Sequence, residues 1–175
     1  MSRALRCVGV LVALVLASRT GRPQGVAAQV GIDAEVIGQA VTITSLRNLA
    51  FGTVLKGVAT TVLPTAAGAG EWQVQGTKNT QVIIAFTLPT QLVNVQALPG
   101  SAMPISFTPT SARWNRAIND VTGATAFDPV AGTTGRFGPP ANPYLYLWIG
   151  GTVSPAATAK PGIYTGAIIV SIVYL

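Results

Sequence analysis

The chain has 175 residues, a formal net charge of +6, 49% hydrophobic residues, one cysteine and no histidine. This length suits one domain of ordinary size. The lack of histidine excludes a Ser-His-Asp triad, a Cys-His pair and a histidine-ligated zinc site.

The first 28 residues have the layout of a secretory signal peptide. Arg3 and Arg6 give a basic start, residues 7–17 form an apolar run, and residues 26–28 supply small side chains at a cleavage site. The apolar run is too short to span a bilayer as a helix. We therefore predict a signal peptide over residues 1–28, with an uncleaved membrane anchor as the alternative.

Cleavage would change the chemistry of the remaining chain. Seven bases and five acids stay in residues 29–175, which leaves a net charge of +2 and no basic stripe that would predict nucleic-acid binding. Cys7 is removed with the signal, so the mature chain would have no disulfide, although an exported protein can form one.

Two carboxylates are the remaining candidates for catalysis. Glu71 and Asp128 could in principle act as a glycosidase pair, but each lies in a Gly-rich or Pro-flanked stretch typical of a loop. We therefore expect no enzymatic activity, no catalytic residue, no metal and no cofactor.

Residues 29–40 are predicted to be an N-terminal extension. In the stretch QVGIDAEVIG, apolar residues alternate strictly with Gly31, Asp33 and Glu35. This period of two is typical of a strand that is buried on one face. The pattern alone fits both a first strand of the same domain and a strand added to another sheet. The apolar positions are Val30, Ile32, Ala34 and Val36.

Residues 41–175 are predicted to form one all-β domain, because short apolar segments alternate with clusters of Gly, Pro, Asn, Asp and Thr. Such a pattern favours a β-sandwich slightly larger than an immunoglobulin domain. The longest predicted loop is 128–143, where the prolines argue against a strand. The predicted strands are 41–44, 49–56, 58–63, 71–75, 80–88, 91–97, 103–108, 111–118, 144–149 and 163–174.

The C-terminal segment PGIYTGAIIVSIVYL raises a question of pairing. Both faces of the predicted strand 163–174 are largely apolar, which favours a central strand covered on both sides. No sequence follows Leu175, so a second neighbour would have to be an earlier strand or another molecule. An apolar edge without a neighbour promotes aggregation.

This C-terminal segment resembles that of pilus subunits assembled by the chaperone–usher pathway. The shared features are Gly162, fourteen residues from the end, the alternating apolar residues 164–172, and the penultimate Tyr174. The stretches VTITSLRNLAFGTVLKG and YLWIGGTV look even more like a secreted, largely uncharacterised bacterial family related to spore coat protein U and to these pilins. Many pilins carry a disulfide that this mature chain cannot form.

The resemblance implies an incomplete, immunoglobulin-like Greek-key β-sandwich that is completed by a donor strand. It implies a subunit of a cell-surface fibre or coat, exported through the periplasm with a chaperone and an outer-membrane usher, and polymerising with identical or homologous subunits. Val30, Ile32, Ala34 and Val36 would be donated. The groove or chaperone-recognition strand would comprise Gly162, Tyr164, Ile168, Val170, Ile172 and Tyr174.

Two other functions stay open at this stage. A small outer-membrane β-barrel would use Tyr144, Tyr146 and Trp148 as an aromatic girdle, although most predicted strands are short for a barrel. A secreted monomeric binding module would fold residues 30–36 into its own groove. In such a module Trp72, Trp114 and Trp148 could stack on carbohydrate, although tryptophans in a sandwich more often pack in the core.

Overall fold

A computed structural model describes residues 40–96 and 101–175. The predicted signal peptide and nearly all of the predicted extension, with Val30, Ile32, Ala34 and Val36, lie outside the described residues. The predictions for those segments therefore stay predictions.

The described residues form thirteen short strands and no helix, so this part of the chain contains no helical segment able to cross a membrane. The strands are β1 (Thr42–Arg47), β2 (Thr60–Val62), β3 (Gly70–Gln75), β4 (Gln81–Thr87), β5 (Gln91–Asn94), β6 (Ala102–Ser106), β7 (Ala112–Arg116), β8 (Thr125–Phe127), β9 (Thr133–Arg136), β10 (Tyr144–Ile149), β11 (Gly151–Val153), β12 (Tyr164–Thr165) and β13 (Ile169–Tyr174).

The strands make three antiparallel sheets. Sheet I has the order β1-β3-β10-β7-β8, sheet II has the order β12-β5-β6-β11-β2, and sheet III has the order β13-β4-β9. Most neighbours within a sheet are distant in sequence, so the sheets are held together by long-range pairing.

The main core lies between sheets I and III. Leu145, Leu147 and Ile149 alternate along β10 and are fully buried, and they belong to one cluster with Val82 and Ile84 of β4. Alternation that buries one face of each sheet against the other is the arrangement of a sandwich. The predicted all-β sandwich is therefore confirmed.

The opposite face of β10 carries a cluster of aromatic side chains. Tyr144, Tyr146 and Trp148 share this face, as their spacing predicts, and the rings of Tyr146 and Trp148 stack at 6.3 Å. The side chain of Val121 packs against this cluster, and Tyr146 and Trp148 are only 8% and 2% exposed. Tyr146 and Trp148 are thus buried packing residues of the domain, and Tyr144 is partly buried beside them.

Two predictions about local structure before the C-terminal segment were wrong. Residues 49–56, predicted as a strand, form a loop, and Gly52 and Gly57 at its turns have positive φ angles. The predicted loop 128–143 contains β9, which pairs with β4. Pairing with a distant strand overrides the local turn signal here, and Gly135 permits the close approach because a Cβ there would lie 2.5 Å from Ile84 Cδ1.

Candidate functional site

The C-terminal segment forms two strands where one was predicted. β12 pairs with β5 in sheet II, and β13 pairs with β4 in sheet III. The chain changes sheets at Gly166, whose missing side chain allows contact with Leu92: a Cβ there would lie 2.7 Å from Leu92 Cδ2. A single straight strand could not pair with strands of both sheets.

β13 is an edge strand within the described residues, where it pairs with β4 alone through six residues. Its outward face is exposed: Ile169 and Val173 are each 58% exposed. Of the two neighbours that the sequence pattern predicts for this strand, the described residues supply one, β4, and a second neighbour from another molecule stays a prediction. The sequence of β13 is that of a central strand, but its position is that of an edge.

The inward face of β13 is only partly buried. Val170 and Ile172, together with Ile168 just before the strand, contact the main core but remain half-buried. Val82 and Ile84 on the neighbouring strand are completely buried. The core is therefore open along this edge of sheet III.

The facing edge of sheet I is open as well. Ile43 of β1 lies opposite the buried Val74 and so points to the same side, yet it is 39% exposed. Ser45 and Ile168 line one cavity, and Val41 packs against the same core cluster as Tyr174. We call the opening between Val41–Ser45 and residues 168–174 the edge cleft.

One end of the edge cleft widens into a cavity of about 980 Å³. Its walls come from residues 48–56 and 159–168. Next to the first wall, Gly57 N donates a hydrogen bond at 3.0 Å to the backbone oxygen of Pro155, which also lines the cavity. The lining has both polar and apolar parts, and its apolar side chains include Trp72, Leu92, Met103, Ile105 and Val153. A volume of this size accommodates several side chains or a small ligand.

Three predicted groove residues, Gly162, Tyr164 and Ile168, line this cavity. Gly162 has φ +145°, and a Cβ there would overlap the side-chain amide of Asn94. The Tyr164 hydroxyl donates a hydrogen bond to Lys160 O at 2.7 Å. Gly162 is therefore required by both its backbone conformation and its packing.

The other three predicted groove residues, Val170, Ile172 and Tyr174, continue along β13 to the far end of the edge cleft. There the Tyr174 hydroxyl accepts a hydrogen bond from Thr77 N at 2.9 Å. The Tyr174 ring contacts Phe137 with 6.0 Å between centroids. The penultimate tyrosine thus anchors the end of β13 to the end of β3.

Sequence reasoning missed the wall 48–56 and the two lysines at the cavity. Residues 49–54 (LAFGTV) belong to the stretch that carries the family resemblance, and their mixed apolar and glycine content predicts a strand instead of a cavity wall. Lys56 and Lys160 are more than a hundred positions apart, so no local signal indicates that they share a cavity.

The candidate carboxylate pair is not assembled. Glu71 on β3 is buried and forms an ion pair with Arg47 at 2.9 Å, while the Asp128 carboxylate accepts a hydrogen bond from Val130 N. Three strand spacings separate β3 from β8, about 14 Å along the sheet, which is too far for a glycosidase pair. The described residues also include no group of three potential metal ligands.

Fold and site together define an all-β sandwich protein with an apolar cleft along its C-terminal strand. The chain belongs to the family described as a domain of unknown function (DUF4402), which matches residues 41–174. A comparison with curated proteins found no match.

Proposed function

We propose that this protein is a structural subunit of a bacterial surface fibre or coat. In this proposal it is secreted by a chaperone–usher type of pathway and polymerises when the extension of one copy, residues 29–40, enters the edge cleft of another. A periplasmic chaperone would occupy the cleft before assembly, and an outer-membrane usher would mediate the exchange.

The observation that carries the proposal is the edge cleft itself. Edge strands β1 and β13 expose apolar side chains that point toward a core with no described strand between them. An inserted strand could pair with a free edge and cover these side chains at the same time, which is the mode of recognition called strand addition.

The extension has the matching pattern. Its apolar residues at every second position would face the core, and its polar residues would face solvent. Burial of Val30, Ile32 and Val36 would contribute about 5–9 kcal/mol, and each backbone hydrogen bond about 0.5–1.5 kcal/mol. Ordering the extension costs about 1–2 kcal/mol per residue. The ordering cost offsets much of the gain, so the durability of a fibre would come from slow unfolding of the completed sandwich.

The test is the substitution Ile32→Asp in the full chain, with Ile118→Asp as the matched control. Ile118 is 63% exposed in a loop, so the same change there should leave assembly intact. The Ile32→Asp protein should fold but form no polymers in sedimentation experiments. Because its cleft can still accept an extension, a small amount mixed with the unmodified protein should shorten the polymers.

Two results would contradict the proposal. Long polymers of Ile32→Asp would show that the extension is not the donor. A mature protein that sediments as a monomer under all conditions would show that it does not polymerise, and would favour an extension that folds into its own cleft.

A further inference from the structure

We propose that Lys56 and Lys160 recognise Asp33 and Glu35 of a second copy and thereby fix the register of the inserted extension. This inference rests on the proposed function, since it concerns the strand that enters the edge cleft. It assigns to two exposed lysines a role in selecting the partner strand and its position.

The charged side chains that line the cavity are all basic. Its lining contains Lys56 and Lys160 and no carboxylate, and neither lysine has an ion-pair partner among the described residues. Glu71 is paired with Arg47, and Asp120 and Asp128 each accept a hydrogen bond from a nearby backbone N–H at 2.8 Å. The two lysines are thus available to an incoming anionic group.

The extension and the domain carry opposite net charges. Residues 40–175 carry seven bases and three acids, whereas residues 29–39 carry two acids and no base. A segment with charge −2 therefore meets a domain with charge +4. Complementary charges of this kind raise the rate of encounter and disfavour wrong partners.

Charge pairing would also fix the register of the extension, that is, its position along the edge cleft. A slip by one residue would turn the apolar face of the extension away from the core, so hydrophobic burial excludes it. A slip by two residues keeps the same face inward and moves each side chain by about 6.6 Å. Hydrophobic burial discriminates such registers poorly, but a two-residue slip separates at least one of the two acids from its lysine.

The alternation of an extended strand is compatible with this pairing. Asp33 and Glu35 alternate with the apolar positions, so both point away from the core when Ile32 and Ala34 point into it. Lys56 and Lys160 are exposed residues of the cavity lining, where they can meet that outward face. Exposed ion pairs are weak, and loss of two should slow assembly about 2- to 30-fold.

The experiment is a charge swap in the full-length secreted protein. One protein carries D33K/E35K and the other carries K56E/K160E, and assembly from denaturant is followed by sedimentation for each alone and for an equal mixture. Each protein alone would place like charges together, whereas the mixture can alternate with opposite charges at every junction. K78E is the control, because Lys78 is exposed and does not line the cavity.

We expect each swapped protein to assemble about tenfold more slowly than the unmodified protein, and the mixture and K78E to assemble at the unmodified rate. Circular dichroism confirms folding of each variant. Independently of any variant, assembly of the unmodified protein should slow in 1 M salt, where the Debye length falls to about 3 Å.

Other outcomes overturn the inference. If the swapped proteins assemble like the unmodified protein, or if the mixture remains as slow as its components, the lysines do not recognise the extension, although the proposed function stands. If the unmodified protein never assembles at either salt concentration, both proposals fail together.

Discussion

The anchoring of the penultimate tyrosine predicts that Gly76→Ala destabilises the fold. A Cβ at Gly76 would overlap the ring of Phe137 and lie 2.8 Å from the Tyr174 hydroxyl. Phe137 is completely buried, so its ring cannot move aside into solvent. Overpacking of this kind costs about 1–3 kcal/mol.

The matched control is Gly123→Ala. A Cβ at Gly123 would meet only Asp120 Oδ2, at 3.8 Å, so the free energy of unfolding should change by no more than about 0.5 kcal/mol. Both substitutions reduce the entropy of the unfolded chain in the same way. The difference between the two variants therefore isolates the crowding in the folded state.

Urea unfolding followed by tryptophan fluorescence measures both variants, in an Ile32→Asp background so that assembly does not contribute. Phe137→Leu should relieve the crowding, so the double variant Gly76→Ala/Phe137→Leu should be more stable than the sum of its single changes by about 0.5–3 kcal/mol. Equal stabilities of Gly76→Ala and Gly123→Ala, or strict additivity of the double variant, would refute the packing argument.

Two further predictions concern the strands beside the edge cleft. Ile84→Ala should lower the free energy of unfolding by about 2–5 kcal/mol, because Ile84 is completely buried and Gly135 packs closely against it. Ile83→Ala, at a position 42% exposed, should lower it by less than half as much in the same urea assay. Similar losses of stability in the two variants would show that the inward face of β4 is misassigned. Gly162→Ala should be destabilising by at least about 1 kcal/mol, because φ +145° disfavours a side chain and a Cβ would displace Asn94; an unchanged midpoint of urea unfolding would contradict this.

Period-two alternation was sufficient to predict most of the sandwich. The strand predicted at 80–88 is β4, and the one predicted at 144–149 is β10, because each buries one face in the core. Strand β9 could not be predicted: its residues, TTGR, have no apolar period, and they become a strand because β4 offers a free edge. Tertiary pairing decided the structure there.

Individual residues of the site could be predicted from the sequence, but the contacts between distant segments could not. Gly162 and Tyr174 stand out in the sequence, and the structure gives each a physical role in fixing the segment that borders the edge cleft. The sequence did not indicate the break at Gly166, which depends on a contact with Leu92 from another sheet. The cavity walls likewise join residues about a hundred positions apart, a proximity that no local pattern contains.

The way β13 is held bears on how an added strand could bind. Gly162 and the β12 pairing fix the segment before β13, and Tyr174 fixes its end, while the ladder to β4 holds one edge over six residues. The free edge is therefore held by contacts within the chain at both ends and along one side. On binding, the partner strand would lose conformational entropy, but the contacts already made by β13 would reduce the entropy lost by the cleft. This favours association with an edge held in this way over association with a flexible segment.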